Sequence, residues 1–187
     1  YALIETTSGT NDCWLKFDNT GDADGTAATS FRIGRTHDGR FDIGAGNGNH
    51  HMSVLSDGRV GIGTHAPDYD LHVYDNGSGN SSIVKIEQGN ADQYGPILQL
   101  VKSGNSAADQ DEVGKIVFQG QDSGNNATNY ASIEAEAYEV TDTLEDGILD
   151  LKVAHDGAQE LGLRVRGMAN GAYVGIGSLA TNPNTPL

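Results

Sequence analysis

The side chains able to do chemistry in this chain are mostly carboxylates, and their spacing decides what they can do. TGDADGT, 20–26, invites a calcium reading, with Asp22, Asp24 and Gly25 at the third, fifth and sixth positions of a loop begun at Thr20. A twelve-residue calcium loop needs an oxygen ligand of high charge at its first position and a bidentate Glu at its last. Here those positions hold Thr20 and Phe31, so the pattern fails and a polar turn is expected. A looser site on Asp18, Asp22 and Asp24 is the alternative. His50 and His51 are adjacent, and on a strand neighbouring side chains point to opposite faces. They cannot easily share one ion within a chain, although either could meet its mates on a symmetry axis. His72 reads as a plain strand residue.

Glycan hydrolysis needs two carboxylates flanking the scissile bond, one with a raised pKa. Asp109, Asp111, Glu112, Glu134, Glu136, Glu145 and Asp146 are available, yet none stands in an apolar setting, so they read as a solvated face. No nucleophile elbow or triad spacing is present. GAGNGN, 44–49, has neither the Lys nor the following helix of a phosphate loop. The expectation is a protein that is not an enzyme, with no metal and no cofactor. Aromatic side chains are better pointers to a binding surface, because sugars stack on them and they anchor interfaces. Trp14, Tyr94, Tyr130 and Tyr138 are the candidates for receptor or glycan contact, with packing between chains as the plainer role. Loops 119–129 and 139–147 are where variable contacts are expected, since binding concentrates on loops held by a scaffold.

The elements that must position these residues are strands. LHVY at 71–74, SIVKIE at 82–87, ILQLVK at 97–102 and ILDLKV at 148–153 alternate or run apolar between Gly, Asn, Asp and Ser, the strand signature. ASIEAEAYEV, 131–140, has helix-favouring Ala and Glu. Its period is nevertheless two, with Ile133, Ala135 and Ala137 on one side and Glu134, Glu136 and Tyr138 on the other. A strand is predicted. DNG at 75–77 and HDG at 37–39 and 155–157 supply residues that tolerate left-handed backbone.

A repeat organises the strands. VGIG occurs at 60–63 and 174–177, each time followed by Pro-x-x-x-Leu ending at Leu71 and Leu187. Upstream, WLKF matches KIVF, Ile33 matches Ile133, FDI at 41–43 matches LDLKV at 149–153, and MSVL at 52–55 matches LRVR at 163–166. The predicted division is a first β unit over 1–70, connector strands over 71–102, and a second, longer β unit over 103–187. In each VGIG, Val and Ile share a face, and the glycines let backbones approach closely. Val60, Ile62, Leu71, Val73, Val174 and Ile176 are therefore the expected packing residues of an oligomer.

Composition points the same way. Hydrophobic residues make up 36% of the 187 and 26 are Gly, so one chain has little to bury, and small burial leaves a fold marginal against chain entropy. A second copy is expected to complete the core. The net charge of −15 disfavours nucleic acid and anionic membranes, which select Lys and Arg clusters. No apolar run is long enough to span a membrane as a helix. The single Cys13 allows no intrachain disulfide. The chain begins at Tyr1, as a piece of a longer protein would.

DGRVGIGTHAPDYDLHV, 57–73, resembles the G-x-VGIGT-x-x-P-x-x-x-LHV element of trimeric bacteriophage tail fibres and tailspikes, where it typically precedes an endosialidase-type intramolecular chaperone. GKIVFQGQDSGNNATNYASIEAEA, 114–137, is similar to the strand repeats of such fibres. The second VGIG departs from the element: Ser178 stands for the Thr and the proline is displaced. The resemblance implies an all-β, repeat-built, intertwined homotrimeric fibre, a triple β-helix or β-prism-like shaft or knob. It implies a place on the virion outside the cell and attachment to a host-surface glycan or protein. A capsule-cleaving tailspike domain and a purely structural shaft segment are the other functions considered.

Overall fold

A computed structural model describes residues 12–17, 31–45, 50–77, 82–104, 106–168 and 171–177. All eleven elements among them are strands, so the chain is all-β. It divides into two units, residues 1–87 and 88–187.

The first unit carries β1 (Cys13–Phe17), β2 (Phe31–Arg35), β3 (Phe41–Ala45), β4 (His50–Val54), β5 (Val60–Ile62) and β6 (Leu71–Val73) in one sheet, in sequence order. The first five run as an antiparallel meander, and β6 returns parallel to β5. The second unit carries β7 (Asp111–Gln121), β8 (Ala127–Glu139), β9 (Asp146–His155), β10 (Ala158–Met168) and β11 (Gly171–Ile176), again an antiparallel meander. ASIEAEAYE lies within β8, as its period of two predicts.

The registers align the two sheets position by position. One row across the first is Leu15, Ile33, Ile43, Met52, Ile62 and Val73. Its counterpart across the second is Ile116, Ile133, Leu151, Leu163 and Ile176. Turn chemistry sets these registers. The chain reverses at Thr36–Arg40, Leu55–Arg59 and Asp122–Asn126 through the same pair of backbone bonds, such as Thr36 N–H to Arg40 C=O at 2.9 Å and Gly39 N–H to Thr36 C=O at 3.0 Å. Each has its fourth residue at positive φ, Gly39, Gly58 and Asn125 at 90°, 93° and 62°, the three-residue hairpin with a left-handed closing position. Asp156 and Gly157, at φ 47° and 82°, make the tighter two-residue turn that needs both central residues left-handed.

The VGIG glycines have an intrachain reason. A Cβ on Gly61 would sit 2.2 Å from the Thr64 carbonyl oxygen, where the crossover from β5 to β6 folds back over the sheet. Gly63 and Gly177 hold φ of 76° and 63°, which only glycine adopts freely. The close backbone approach that the VGIG glycines allow is made at Gly61 and Gly63 within one chain, to the Thr64 and Tyr74 carbonyls. Pro67 is fully buried in that loop, and its carbonyl accepts from Arg59 Nη1. VGIGT-to-LHV is thus one unit: strand, crossover, parallel strand. Pro183 and Leu187 lie outside the described residues.

One sequence expectation fails outright. SIVKIE, 82–87, and ILQLVK, 97–102, are in no ladder, and among the described residues 82–104 make no backbone–backbone hydrogen bond. Their alternation fixes which side chains share a side, but a strand also needs a partner edge, and the described residues offer them none. LHVY behaves differently because Val60 to Ile62 stands beside it, with Tyr74 N–H reaching the Ile62 carbonyl at 2.9 Å.

Candidate functional site

Each sheet has one polar and one apolar face, and the polar face is the better covered. Among the described residues Ile148 is the one buried large hydrophobic, 5% exposed, whereas Asp42, Ser53, Thr36, Ser132 and Asp150 are buried polar groups. The apolar rows stand open.

On the second sheet the open face runs from Ile116 and Phe118 through Ile133, Leu149, Leu151 and Val153 to Val165, Val174 and Ile176. Ile176 is 57% exposed, and Phe118, Val153 and Val174 are exposed as well. The one charged side chain in these rows is Glu160, opposite Val153 at the end of the Phe118 row. Connector side chains reach this sheet: Leu100 lies over Gly114, whose missing Cβ would stand 3.2 Å from it, and Lys102 pairs with Asp111 at 2.9 Å. Leu100, Val113, Ile116, Ile133 and Leu149 help line an apolar hollow of about 130 Å³ there. The connector is itself apolar and uncovered, with Ile97 81% exposed and Ile83, Val84, Leu98 and Val101 similar.

All six packing candidates lie on open faces. Val60 and Leu71 share one row of the first sheet with Phe41 and Val54, Ile62 and Val73 share the next, and Val174 and Ile176 occupy the edge strand of the second. Period two and the VGIG pattern account for Val60 sharing a face with Ile62, and Val174 with Ile176, each pair on its own sheet.

The opposite face of the second sheet is an ion ladder. Lys115 and Lys152 both bond the Glu134 carboxylate from the strands on either side. Ser132 Oγ adds a contact at 2.9 Å. Burial pushes the Glu134 pKa up, but bonds from Lys115, Lys152 and Ser132 outweigh it and hold the group at about 2. A carboxyl held that low carries no proton to donate at neutral pH, so Glu134 is a structural anion and not the acid of a hydrolytic pair. Asp150 takes Arg164 in a fork, Nε to Oδ1 at 2.7 Å and Nη2 to Oδ2 at 2.6 Å, which raises the Arg164 pKa further. Sequence reasoning missed this ladder. The residues were visible, but only the register between β7, β8 and β9 puts Lys115 and Lys152 on one Glu.

The aromatic candidates separate. Trp14 and Tyr138 lie half-buried, each with a guanidinium over its ring: Arg32 at 4.2 Å and Arg166 at 3.5 Å. One ring face of each is therefore spent inside the chain. Tyr130 is more exposed; it donates its hydroxyl proton to the Gln121 carbonyl at 3.1 Å and covers Gly120. Tyr94 stands out to solvent, its N–H tied to Asp92 at 3.0 Å. The pattern did not single out Tyr69 and Tyr74, which are exposed beside β6.

The loop candidates differ likewise. Most of 119–129 is strand and a capped turn, with Asp122 Oδ1 accepting from Gly124 and Asn126 N–H at 2.8 and 2.9 Å. In 139–147 the loop proper is 140–145, with Thr143 at φ 71°. His51 is exposed, and His72 stacks edge-on to Tyr74 at 5.9 Å with Asp68 Oδ2 at 3.9 Å. Asp18, Asp22, Asp24 and 46–49 lie outside the described residues. No group of three metal-ligating side chains occurs among the described residues, and no helix there is long and apolar enough to cross a membrane.

No protein-family model matches this chain, and no curated protein matches it.

Proposed function

We propose that this chain is a structural and receptor-binding segment of a phage tail fibre, working as a homotrimer on the virion and attaching it to a host-surface glycan or protein. The observation that carries the reading is the inversion of burial: among the described residues polar groups are buried within the chain, while apolar faces and an apolar connector outside any ladder are left open. Monomeric proteins rarely leave such large contiguous apolar patches uncovered. A second and third copy would cover the sheet faces and give residues 82–104 partner edges, which also removes an aggregation hazard. The VGIGT-to-LHV resemblance then selects a fibre among possible oligomers. The ionised Glu134, with no proton to donate to a glycosidic oxygen, favours adhesion over polysaccharide cleavage.

The reading is tested by binding of the labelled, purified chain to a panel of bacterial strains differing in capsule and lipopolysaccharide. Saturable binding to some strains, lost with their surface glycan or a surface protein and leaving the glycan intact in length, is expected. Shortening of the polysaccharide would instead establish the tailspike alternative. Assembly without binding to any strain would reduce the segment to a shaft.

A further inference from the structure

At one end of the first sheet, the turns β2–β3 and β4–β5 lie side by side, and the crossover loop returns to the same end to start β6. A cleft of about 380 Å³ opens among the three, lined by Asp38, Arg40, Asp57, Arg59, His65 and Asp68 over Leu55 and Pro67. The two turns carry the same triplet, Asp-Gly-Arg, at 38–40 and 57–59. The left-handed glycine between them bends each Asp back beside its Arg. Arg40 Nη1 lies 3.0 Å from Asp38 Oδ2, and its Nε 3.7 Å from the buried Asp42. Arg59 places Nε and Nη2 on Asp57 Oδ2 at 2.9 and 2.8 Å while Nη1 holds the Pro67 carbonyl. Both guanidiniums are therefore fixed before any ligand arrives, which lowers the entropic cost of binding.

We propose that this cleft binds a neutral saccharide of hexose size. A vicinal diol donates and accepts at once. It matches a wall where carboxylates, each with several acceptor sites, alternate with guanidiniums that only donate. Leu55, half-buried at the base of the cleft, offers an apolar contact for the C–H face of the ring. The volume is that of a small-molecule site. Anionic ligands fit worse: three carboxylates face two guanidiniums, both guanidiniums are already paired, and the chain as a whole carries −15. The Thr36 hydroxyl at Asp38 and the Arg59 guanidinium at Asp57 lower the pKa of those carboxyls, which keeps them ionised as acceptors. The end of the second sheet that corresponds in strand order is lined by Glu139, Thr143, Leu144, Glu145 and Asp146 with no cation among them. It lacks the donors that a diol needs.

This site rests on the attachment reading and names its ligand class. The test is saturation-transfer NMR on the intact chain with neutral hexose oligosaccharides, for the wild type, Asp68→Ala, Arg59→Lys and the remote control Glu160→Gln. Asp68 is exposed, so its alanine variant keeps the fold. Transfer to ring protons is expected in the wild type and the control. Affinity should fall by about tenfold or more in the two cleft variants, the loss of one or two charge-assisted bonds. Transfer to none of the oligosaccharides, or transfer unchanged in both cleft variants, overturns the site. Oligomeric mass and cell binding on the same samples separate the two claims. A trimer that binds cells without cleft-dependent transfer loses this site and keeps the attachment reading. A monomer with cleft-dependent transfer keeps the site and loses the fibre.

Discussion

The two sheets solve one problem by different means. Both are built on antiparallel meanders with the same order of apolar rows, the first adding β6 parallel to β5, yet strands in the first span three to five residues and those in the second six to thirteen. The first sheet closes its polar face with small residues and a loop: Gly34, Asp42, Ser53 and Gly61 form one row, and the crossover folds over Gly61. The second closes its polar face with long side chains that bond one another, Lys115, Glu134, Lys152, Asp150 and Arg164. In neither do the described residues cover the apolar side beyond Leu100 over Gly114. Polar groups are expensive to leave half-satisfied, and the second unit pairs its main charged groups internally, although Ser53 Oγ in the first and Gln159 Nε2 in the second are buried without a hydrogen bond. Apolar surface can wait for another copy.

That comparison breaks most visibly if a charge is put on an open face. Ile133→Asp, in the row that crosses the longer strands, is expected to abolish assembly, since burying the carboxylate would cost more than about 3 kcal/mol per chain. Ile33→Asp should do the same with a smaller loss, because its row lies on the shorter strands. Light scattering against concentration reads both, and a fully assembled Ile133→Asp protein would mean that this face is solvent-exposed in the working state.

The glycines sharpen the comparison next. Gly177→Ala meets open space and should cost only the left-handed backbone, about 1–2 kcal/mol. Gly63→Ala adds a clash, its Cβ 2.1 Å from the Tyr74 carbonyl oxygen, so it should cost more and loosen β6. Thermal unfolding of the pair gives the order, and equal costs would remove the crossover from the explanation of VGIG.

Acid separates the sheets as well. Glu134 has its folded pKa lowered to about 2 from 4.5. Its contribution is therefore present above the unfolded value and is lost as pH falls through the folded one. The second unit should weaken between about pH 4.5 and 2, and Glu134→Gln should flatten that limb. Amide exchange resolved by unit, followed down the pH scale, would show whether the loss stays in the second sheet. The smallest effect is expected from the ring–guanidinium pairs: Tyr138→Leu and Trp14→Leu should each cost about 0.5–1 kcal/mol, measurable in denaturant midpoints.

How far the sequence carried depended on the kind of interaction. Period-two patterning located β8 despite its Ala and Glu, and it put Val60 with Ile62 and Val174 with Ile176. The same patterning misread 82–87 and 97–102, because alternation reports a face and says nothing about a free edge to pair with. The ladder on Glu134 was hidden for a related reason: one carboxylate in a row of seven acidic candidates becomes special only through registers to two other strands. The Asp-Gly-Arg triplets at 38–40 and 57–59 were legible as a repeat, and the spacing of an antiparallel meander puts alternate turns at one end. Their meeting with the Pro67 loop was not legible, since a parallel return after VGIG is a tertiary choice.

The central claim is that the open faces are covered by further copies of this chain. The direct measurement is the solution mass of the purified chain by light scattering, before and after boiling in detergent. A particle of three chain masses that survives detergent until heated is the predicted result, the behaviour of interlocked strands that unfold slowly. A stable monomer, with Ile133 and Ile176 open to solvent and the chain still soluble, would contradict it.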